Sequence, residues 1–477
     1  MSPDGPERNA APLPRALLVL AAVLVLVHLA LPLATLPRLV SSNYNEGWNA
    51  YHAGAVFSER PLYPPPGDLF PNNYPPLSFA VIALLAGLIG DPLSWGRVLS
   101  LLAFLAIAAE IALLARRMSG SWRHGLFAGL LFAAWLGAAF GDYVGVDDPQ
   151  LLAHALVLGG ALLVTRGRSP REVRGAALLM ALGGLVKHNL VALPLAVAAW
   201  LWLRDRKAFA QFAAASAGCV AIACLGLLLL HGGDVFASIL GARQTSLRTA
   251  AHMSADWLRS LAAPLAIGAL AWREAWRDPE AQWLALYAAL GLGLGVVFTA
   301  GEGVSYNAFF DLTIALSLLA SRLLSQSTNT IPTVALGLAL LLDPLLRAPH
   351  AWLGLGPALD QVARLEAATE KDVDYLAARD GPALCETLAL CYWAGKPPTV
   401  DLFNSHQAFW AGRADEQQLV DRITRGEFGV IQLVSIYKGR DDLRVSTRLA
   451  NALLRDYVVD RASMNGVFLR PRQGPAR

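Results

Sequence analysis

Long apolar runs separated by short polar breaks dominate the chain. Runs near 15–37, 93–115, 122–140, 148–165, 208–230, 281–299 and 330–347 each approach the ~20 residues that carry a helix across a bilayer. Shorter candidates lie near 258–272 and 308–323. The stretch 174–203 is apolar but broken by Lys187-His188-Asn189, which predicts a hairpin of two short helices with Lys187 at its tip. Segment 76–90 opens on Pro75-Pro76 and closes on Gly90-Asp91-Pro92. It is too short to cross, so a juxtamembrane or re-entrant helix is expected there.

Basic residues set the sidedness. Arg116, Arg117 and Arg123 form one basic loop, and Arg166, Arg168, Arg171 and Arg174 another. Arg204, Arg206 and Lys207 make a third, and Arg273 with Arg277 a fourth. Placing all four in the cytoplasm gives about eleven spans, with the N-terminus inside and the C-terminus outside. The loops 38–75, 141–148, 231–257 and 301–307 then share the outer face with the Lys187 tip. These loops hold most of the unusual polar residues, whereas the inner loops hold little but Arg.

From about 360 the apolar character gives way to short alternating patterns. Residues 382–385 and 428–434 read as buried strands, and amphipathic helices are expected near 362–379, 415–425 and 443–456. The expected organisation is a disordered tail over 1–14, a membrane domain over 15–347 and a soluble α/β domain on the outer face over 348–477. The fold class is thus an α-helical polytopic membrane protein with a small C-terminal α/β domain.

Composition agrees. Of 477 residues, 55% are hydrophobic and 16% charged, and the mean hydropathy of +0.44 is too high for a soluble protein. A net charge of +3 gives no reason to expect nucleic acid. The four cysteines offer neither a disulfide framework nor metal-ligand spacing, and Cys385 and Cys391 read as packing residues. Walker, dinucleotide-loop and serine-elbow sequences are absent, which leaves nucleotide-dependent and acyl-transfer chemistry without support.

The candidate chemistry centres on the first outer loop, Asn43-Tyr44-Asn45-Glu46-Gly47-Trp48-Asn49-Ala50-Tyr51-His52. A carboxylate kept amid Asn, Trp and Tyr at the membrane boundary is a functional candidate, although aromatic belts collect there anyway. Asp147 and Asp148 are carboxylates of a second outer loop, able to orient substrate or hold a divalent cation. Asp148-Pro149 is equally good helix-start chemistry. Lys187, His188, Arg243, Arg248 and His252 are cations on the outer side, where a phosphate would explain them and lipid headgroups or snorkelling would serve as well.

Asn45 to Tyr51, followed by Pro61-Leu62-Tyr63 and Tyr74-Pro75-Pro76-Leu77, resembles the first outer loop of GT-C glycosyltransferases. The resemblance is to the bacterial branch related to protein O-mannosyltransferases and to the aminoarabinose transferase of lipid A. Asp147-Asp148-Pro149 stands where that family has its second acidic motif. Gly184 to Lys187 resembles its lysine segment before a Pro-containing helix. Tyr306-Asn307 ahead of Phe309-Phe310-Asp311-Leu312 resembles its late motif, and 381–397 the start of its external domain. The family shows Asp-Glu in the first loop, with the Asp as base, whereas this chain has Asn45. Either Glu46 takes that role, the base lies elsewhere, or activity is lost.

The resemblance implies a GT-C-like transferase moving a sugar from a polyprenyl-phosphate donor to a lipid, glycan or protein hydroxyl on the non-cytoplasmic face. Such an enzyme would sit in the inner membrane. The expected catalytic residues are Glu46 as base with Asp147 and Asp148. Tyr44, Asn45, Tyr74, Lys187, His188, Arg243, His252, Glu302, Tyr306 and Asn307 are expected to bind substrate or phosphate. No particular cofactor is implied, and a divalent cation, Mg or Mn, held at Asp147 and Asp148 stays open. A single displacement would invert the anomeric carbon. Two other classes stay open, a multi-span transporter and a non-catalytic protein that binds or assembles lipid-linked glycans.

Overall fold

The computed structural model describes residues 13–241, 243–436 and 444–472. Most of the expected tail 1–14 therefore lies outside the described residues. The apolar runs are helical. They form α1 (Arg15–Thr35), α4 (Pro92–Ser119), α5 (Trp122–Phe140), α6 (Gln150–Arg166), α7 (Pro170–Val186), α8 (Ala192–Arg204) and α9 (Arg206–His231). Farther along come α12 (Ala262–Arg277), α13 (Gln282–Phe298), α14 (Phe310–Gln326), α15 (Thr330–Leu340) and α16 (Leu342–Ala377). Shorter α2 (Asn45–Ala55), α3 (Leu77–Leu88), α10 (Asp234–Ile239) and α11 (Leu247–Ser260) fill the loops between them. Among the described residues five helices are long and apolar enough to span, six if α15 and α16 count as one span bent by 51°. Four further apolar helices are shorter, among them α3, α6, α8 and α13.

Local chemistry sets the helix boundaries. Asp91 accepts hydrogen bonds from the Leu93 and Ser94 backbone N–H groups and Pro92 opens α4, which ends at a left-handed Gly120 after Arg116 and Arg117. Ser169 and Glu172 close a capping box at α7. The predicted hairpin breaks at the predicted place, with Lys187 in an extended conformation at the end of α7. Helix α3 has 12 residues and so reaches about 18 Å, short of the ~30 Å hydrocarbon core, as its flanking prolines implied. It packs Phe79 and Ile82 against Trp48 of α2.

The bundle core is one apolar cluster running through α1, α4 to α8 and α12 to α14. Helix α9 stands apart, with only Ala208 and Phe212 buried and Leu225, Leu229 and Leu230 on its surface, as befits a lipid-facing helix. At the end away from the first loop, Arg168 pairs with Glu280 at 2.7 Å, Arg322 with Asp278 at 2.6 Å, and Arg204 donates to Gln282 at 3.0 Å. The basic loops thus gather at one end of the bundle.

The C-terminal domain contains β1 (Ala383–Cys385), α17 (Leu388–Trp393), α18 (Leu402–Trp410), α19 (Glu416–Thr424), β2 (Val430–Leu433), α20 (Thr447–Asp456), β3 (Tyr457–Ser463) and β4 (Gly466–Pro471). Its sheet runs in the order β1-β2-β4-β3, with β1 parallel to β2 and the other pairs antiparallel. Both predicted strands are present; the β3–β4 hairpin is additional. It was hidden because β3 alternates only partly and sits at the sheet edge. Two expectations change. The boundary placed at 348 falls inside α16, which runs unbroken through Pro349 and Pro357 into the domain. Cys385 and Cys391 are joined by a disulfide, which a spacing of six residues had not suggested.

Candidate active site

The first loop is largely helical, and its hub is an ion pair. Glu46 on α2 has no exposed side-chain surface, and Arg97 on α4 is 3% exposed. Arg97 Nε donates to Glu46 Oε1 at 2.7 Å and Nη2 to Oε2 at 2.9 Å. Its remaining donors reach the carbonyls of Leu36, Arg38 and Val40 at 3.0, 2.7 and 2.5 Å. The Ser42 N–H also donates to Glu46, at 2.8 Å. A carboxylate held on both oxygens and sealed from the cavity is poorly placed to take a proton from substrate. The expected base at Glu46 is instead bound up in a buried ion pair.

Asp147 lies behind it. Its side chain fills the space beside Gly96, where a Cβ would come within 2.1 Å of the carboxyl. Burial raises its pKa well above the usual carboxylate range, and the charges of Glu46 and Asp148 push the same way. Its Oδ2 has no hydrogen-bond partner among the described residues. The local count explains this. Three carboxylates, Glu46, Asp147 and Asp148, face two cations, Arg97 and Lys187, and Asp147 is the one with no ion pair among the described residues.

In front of this layer opens a cavity of about 960 Å³. Asn45, Tyr74, Asp142, Lys187, His188, Arg243 and Asn307 contribute its polar wall, and Tyr44 lies beside Phe403 and Arg444 of the C-terminal domain. Lys187 is 6% exposed, its Nζ 3.8 Å from Asp148 Oδ1 and 5.1 Å from the Tyr74 ring centre. It is aimed into the protein rather than toward headgroups. Asp148 accepts the Gln150 N–H at 2.8 Å just ahead of α6, whose N-cap is Pro149, one residue later than the helix-start reading placed it, and the Asn45 amide donates to its other oxygen at 3.4 Å. Asn45, Asp148 and Lys187, distant in sequence, thus form one cluster. Burial and the charges of Lys187 and Arg243 lower the His188 pKa to about 4, leaving a neutral imidazole at neutral pH.

The expected set divides. His252 is exposed and pairs with Asp256 at 3.4 Å, Tyr306 donates to Asp256 at 3.5 Å, and Glu302 accepts from Thr249 at 3.4 Å. None of the three lines the cavity. Asn307 does, and donates to Gln150 at 3.3 Å. From there a buried polar chain continues, with Gln150 2.8 Å from His154, His154 3.7 Å from Asp311, and Tyr287 donating to Asp311 at 2.8 Å. Sequence reading missed Arg97 and His154 and named Asp311 only within the late motif, although each is an ionisable group within an apolar run, which was the available signal. Among the described residues no group of three His, Cys, Asp or Glu side chains is placed to hold a metal ion, and Asp148 accepts donors from Gln150 and Asn45.

Several contacts tie the C-terminal domain to the site. Tyr44 donates to Asp401 at 2.6 Å, and Gly47 lies so close to the Ala389 backbone that a Cβ would come within 2.1 Å of its nitrogen. Asp401 in turn caps α18.

Known proteins resemble the chain in part of its sequence and in its fold. The family model of dolichyl-phosphate-mannose-protein mannosyltransferases matches residues 73–230. Among solved structures, ArnT from Cupriavidus metallidurans bound to undecaprenyl phosphate superposes with a TM-score of 0.62 at 13% identity, covering 97% of this chain and 99% of that one. Its apo state gives 0.58 at 13% identity, covering 95% and 97%. The chain has the GT-C fold. The apo oligosaccharyltransferase of Archaeoglobus fulgidus, a more distant GT-C relation, gives 0.51 at 12% identity over 82% of this chain and 65% of that one. No curated protein matches by sequence. The resemblance drawn from the first loop agrees with the family model over residues 73–230 and, in fold, with the GT-C structures.

Proposed function

We propose that the protein transfers a sugar from a polyprenyl-phosphate donor to a hydroxyl of a lipid, glycan or protein acceptor, at the non-cytoplasmic face of the inner membrane. The observation that carries this reading is Lys187, buried beside Tyr74 and Asp148 in the wall of a cavity framed by the GT-C bundle and the C-terminal domain. A buried ammonium with one weakly held carboxylate suits a developing lipid-phosphate charge.

In the reaction the acceptor oxygen attacks the anomeric carbon, the bond from that carbon to the phosphate oxygen breaks, and the lipid phosphate leaves. Lys187, Arg243 and the neutral His188 stabilise the leaving oxygens. The acceptor proton passes to Asp142, the one carboxylate among the described residues that lines the cavity. Burial within the cavity mouth raises its pKa, its own backbone N–H partly opposes this, and the charge of Asp148 adds to it. A raised carboxylate pKa suits a general base working near neutral pH. Asn45, standing where the family's base is expected, holds Asp148 and serves as a hydrogen-bond donor to the sugar. One displacement inverts the anomeric carbon.

The Cys385–Cys391 disulfide supports an oxidising, outer compartment for the C-terminal domain, and the basic loops at the opposite end support a cytoplasmic location there. Mass spectrometry of the purified protein tests the donor. A copurified polyprenyl phosphate lost on Lys187→Gln is expected; its absence even after reconstitution with that lipid would reject the reading.

A further inference from the structure

A file of polar side chains runs from the cavity wall into the apolar bundle, and its hydrogen bonds share one direction. At the inner end Asp311 on α14 accepts the Tyr287 hydroxyl at 2.8 Å. His154 on α6 turns Nδ1 to the same carboxylate oxygen, 3.7 Å away. A carboxylate only accepts, so the imidazole proton belongs on Nδ1 and Nε2 is left as an acceptor. Gln150, 2.8 Å from Nε2, then turns its amide nitrogen that way. The backbone carbonyl of Asn307, 3.5 Å from the same nitrogen, fixes the amide independently, since a flip would set oxygen against oxygen. Gln150 Oε1 in turn accepts the Asn307 side-chain N–H at 3.3 Å.

The consequence is felt in the cavity. Asn307 lines it, and with its amide nitrogen held by Gln150 the atom it offers to a ligand is Oδ1. Gln150 and His154 are both buried, and an ionisable group inside a membrane domain is costly enough to ask for a function. Orienting one amide supplies it. Asn189, on the turn between α7 and α8, lies in the same cavity wall. Its Oδ1 is buried with no hydrogen-bond partner among the described residues. Two amide oxygens in one wall suit a ligand that brings hydrogen-bond donors. With Lys187 and Arg243 also in that wall, a neutral hydroxyl fits there better than an ammonium.

We propose that Asn307 Oδ1, set by the file from Gln150 through His154 to Asp311, accepts a hydroxyl of the sugar on the donor lipid, which selects neutral, hydroxylated sugars. The inference rests on the transferase reading and deepens it. Asn307 touches the substrate, whereas Gln150, His154 and Asp311 are positioning residues that act through it.

Full-length protein in phosphatidylcholine nanodiscs is titrated with undecaprenyl phosphate and with its glucose, mannose and glucosamine phosphodiesters. At least one neutral sugar lipid should bind more tightly than both the bare lipid and the glucosamine form. Asn307→Leu and Gln150→Met should each reduce that preference by about three- to tenfold, the loss of one neutral hydrogen bond. Binding of the bare lipid should stay as it was, a split that general structural damage would not produce. Solid-state NMR of protein labelled with ¹⁵N-histidine reads the file itself, with the His154 signal identified by its loss in His154→Phe. The proton should sit on Nδ1. An Nε2–H tautomer, no preference for a neutral sugar, or a preference kept in whichever of the two variants folds overturns the proposal. If bare undecaprenyl phosphate fails to bind, the donor reading falls and takes the inference with it. Intact binding of the bare lipid without a sugar preference sinks the Asn307 assignment alone.

Discussion

Arg97 and Glu46 meet face to face inside the protein, two nitrogens on two oxygens, and every donor of the guanidinium is engaged. The pair joins α4 to the start of α2 and pins the strand of chain from Leu36 to Val40 between them. Breaking a buried pair by removing one partner costs about 3–5 kcal/mol, because the other charge is stranded. Glu46→Gln and Arg97→Met should each lower the unfolding temperature in detergent. The double variant should recover a good part of the loss. Wild-type thermal stability in Glu46→Gln, with transfer abolished, would return Glu46 to the chemistry.

Asp147 makes a prediction of opposite sign. Its pKa in the folded protein lies well above the ordinary 3.8, so folding takes up a proton that the unfolded chain releases. The favourable contribution is complete below the unfolded pKa and is lost as pH rises through the folded one. Asp147→Asn keeps the shape and stays neutral throughout. Stability of this variant should therefore fall less with rising pH than that of the wild type, and above neutrality it should equal or exceed it. Thermal melts across pH 5 to 9 decide this, and a parallel fall in both proteins would refute the proton count.

Lys187 stabilises a charge that appears only as the donor bond breaks. Its replacement by Ala should lower turnover by about 10²–10³, as for other single electrostatic donors. Insertion of the hairpin α7–α8 should be unaffected, since Lys187 lies outside both helices. Lys187→Ala with normal turnover would leave the residue as a structural partner of Asp148.

Much of this was legible in the sequence, because the bilayer constrains it so strongly. The α7–α8 break at Lys187, the short α3 between its prolines and the basic loops at one end all follow from length, proline and charge. Which carboxylate faces the cavity was not legible. Glu46 and Asn45 are neighbours, yet on a helix successive side chains diverge by about 100°. One therefore points to Arg97 and the other to Asp148. Reading α2 as a loop hid that divergence. The Tyr44–Asp401 bond depends on how the C-terminal domain docks, and the disulfide on how α17 folds back beside β1; neither is announced by spacing alone.

The disulfide closes a loop of six residues between β1 and α17, next to the segment that packs on Gly47. Loop-closure entropy for so short a ring gives about 2 kcal/mol. Cys385→Ser with Cys391→Ser should destabilise the domain by that order. It should also loosen its seat on α2, raising hydrogen exchange at Leu388 to Trp393. A reporter fused after the last residue should read as periplasmic. A cytoplasmic signal would remove both the oxidising compartment and the shared face of domain and cavity.

Asp142 carries the most consequential prediction, because it replaces the base expected from the first loop. A general base works only when deprotonated, so transfer should rise with pH through its pKa. That pKa is raised, by burial first and by Asp148 as well. The acidic limb of the rate profile should accordingly lie above the ordinary carboxylate range. Asp142→Asn removes the acceptor of the proton and should lower turnover by about 10²–10⁴, leaving lipid-phosphate binding intact. Asp148→Asn should shift that limb to lower pH, since one of the charges that raise the Asp142 pKa is gone. Asn45→Asp tests the alternative from the other side, by placing a carboxylate where the family has its base. If Asn45→Asp restores transfer to Asp142→Asn, the two positions share one acceptor hydroxyl. If Asp142→Asn transfers sugar at the wild-type rate, Asp142 is a wall residue, and His188 becomes the group to replace.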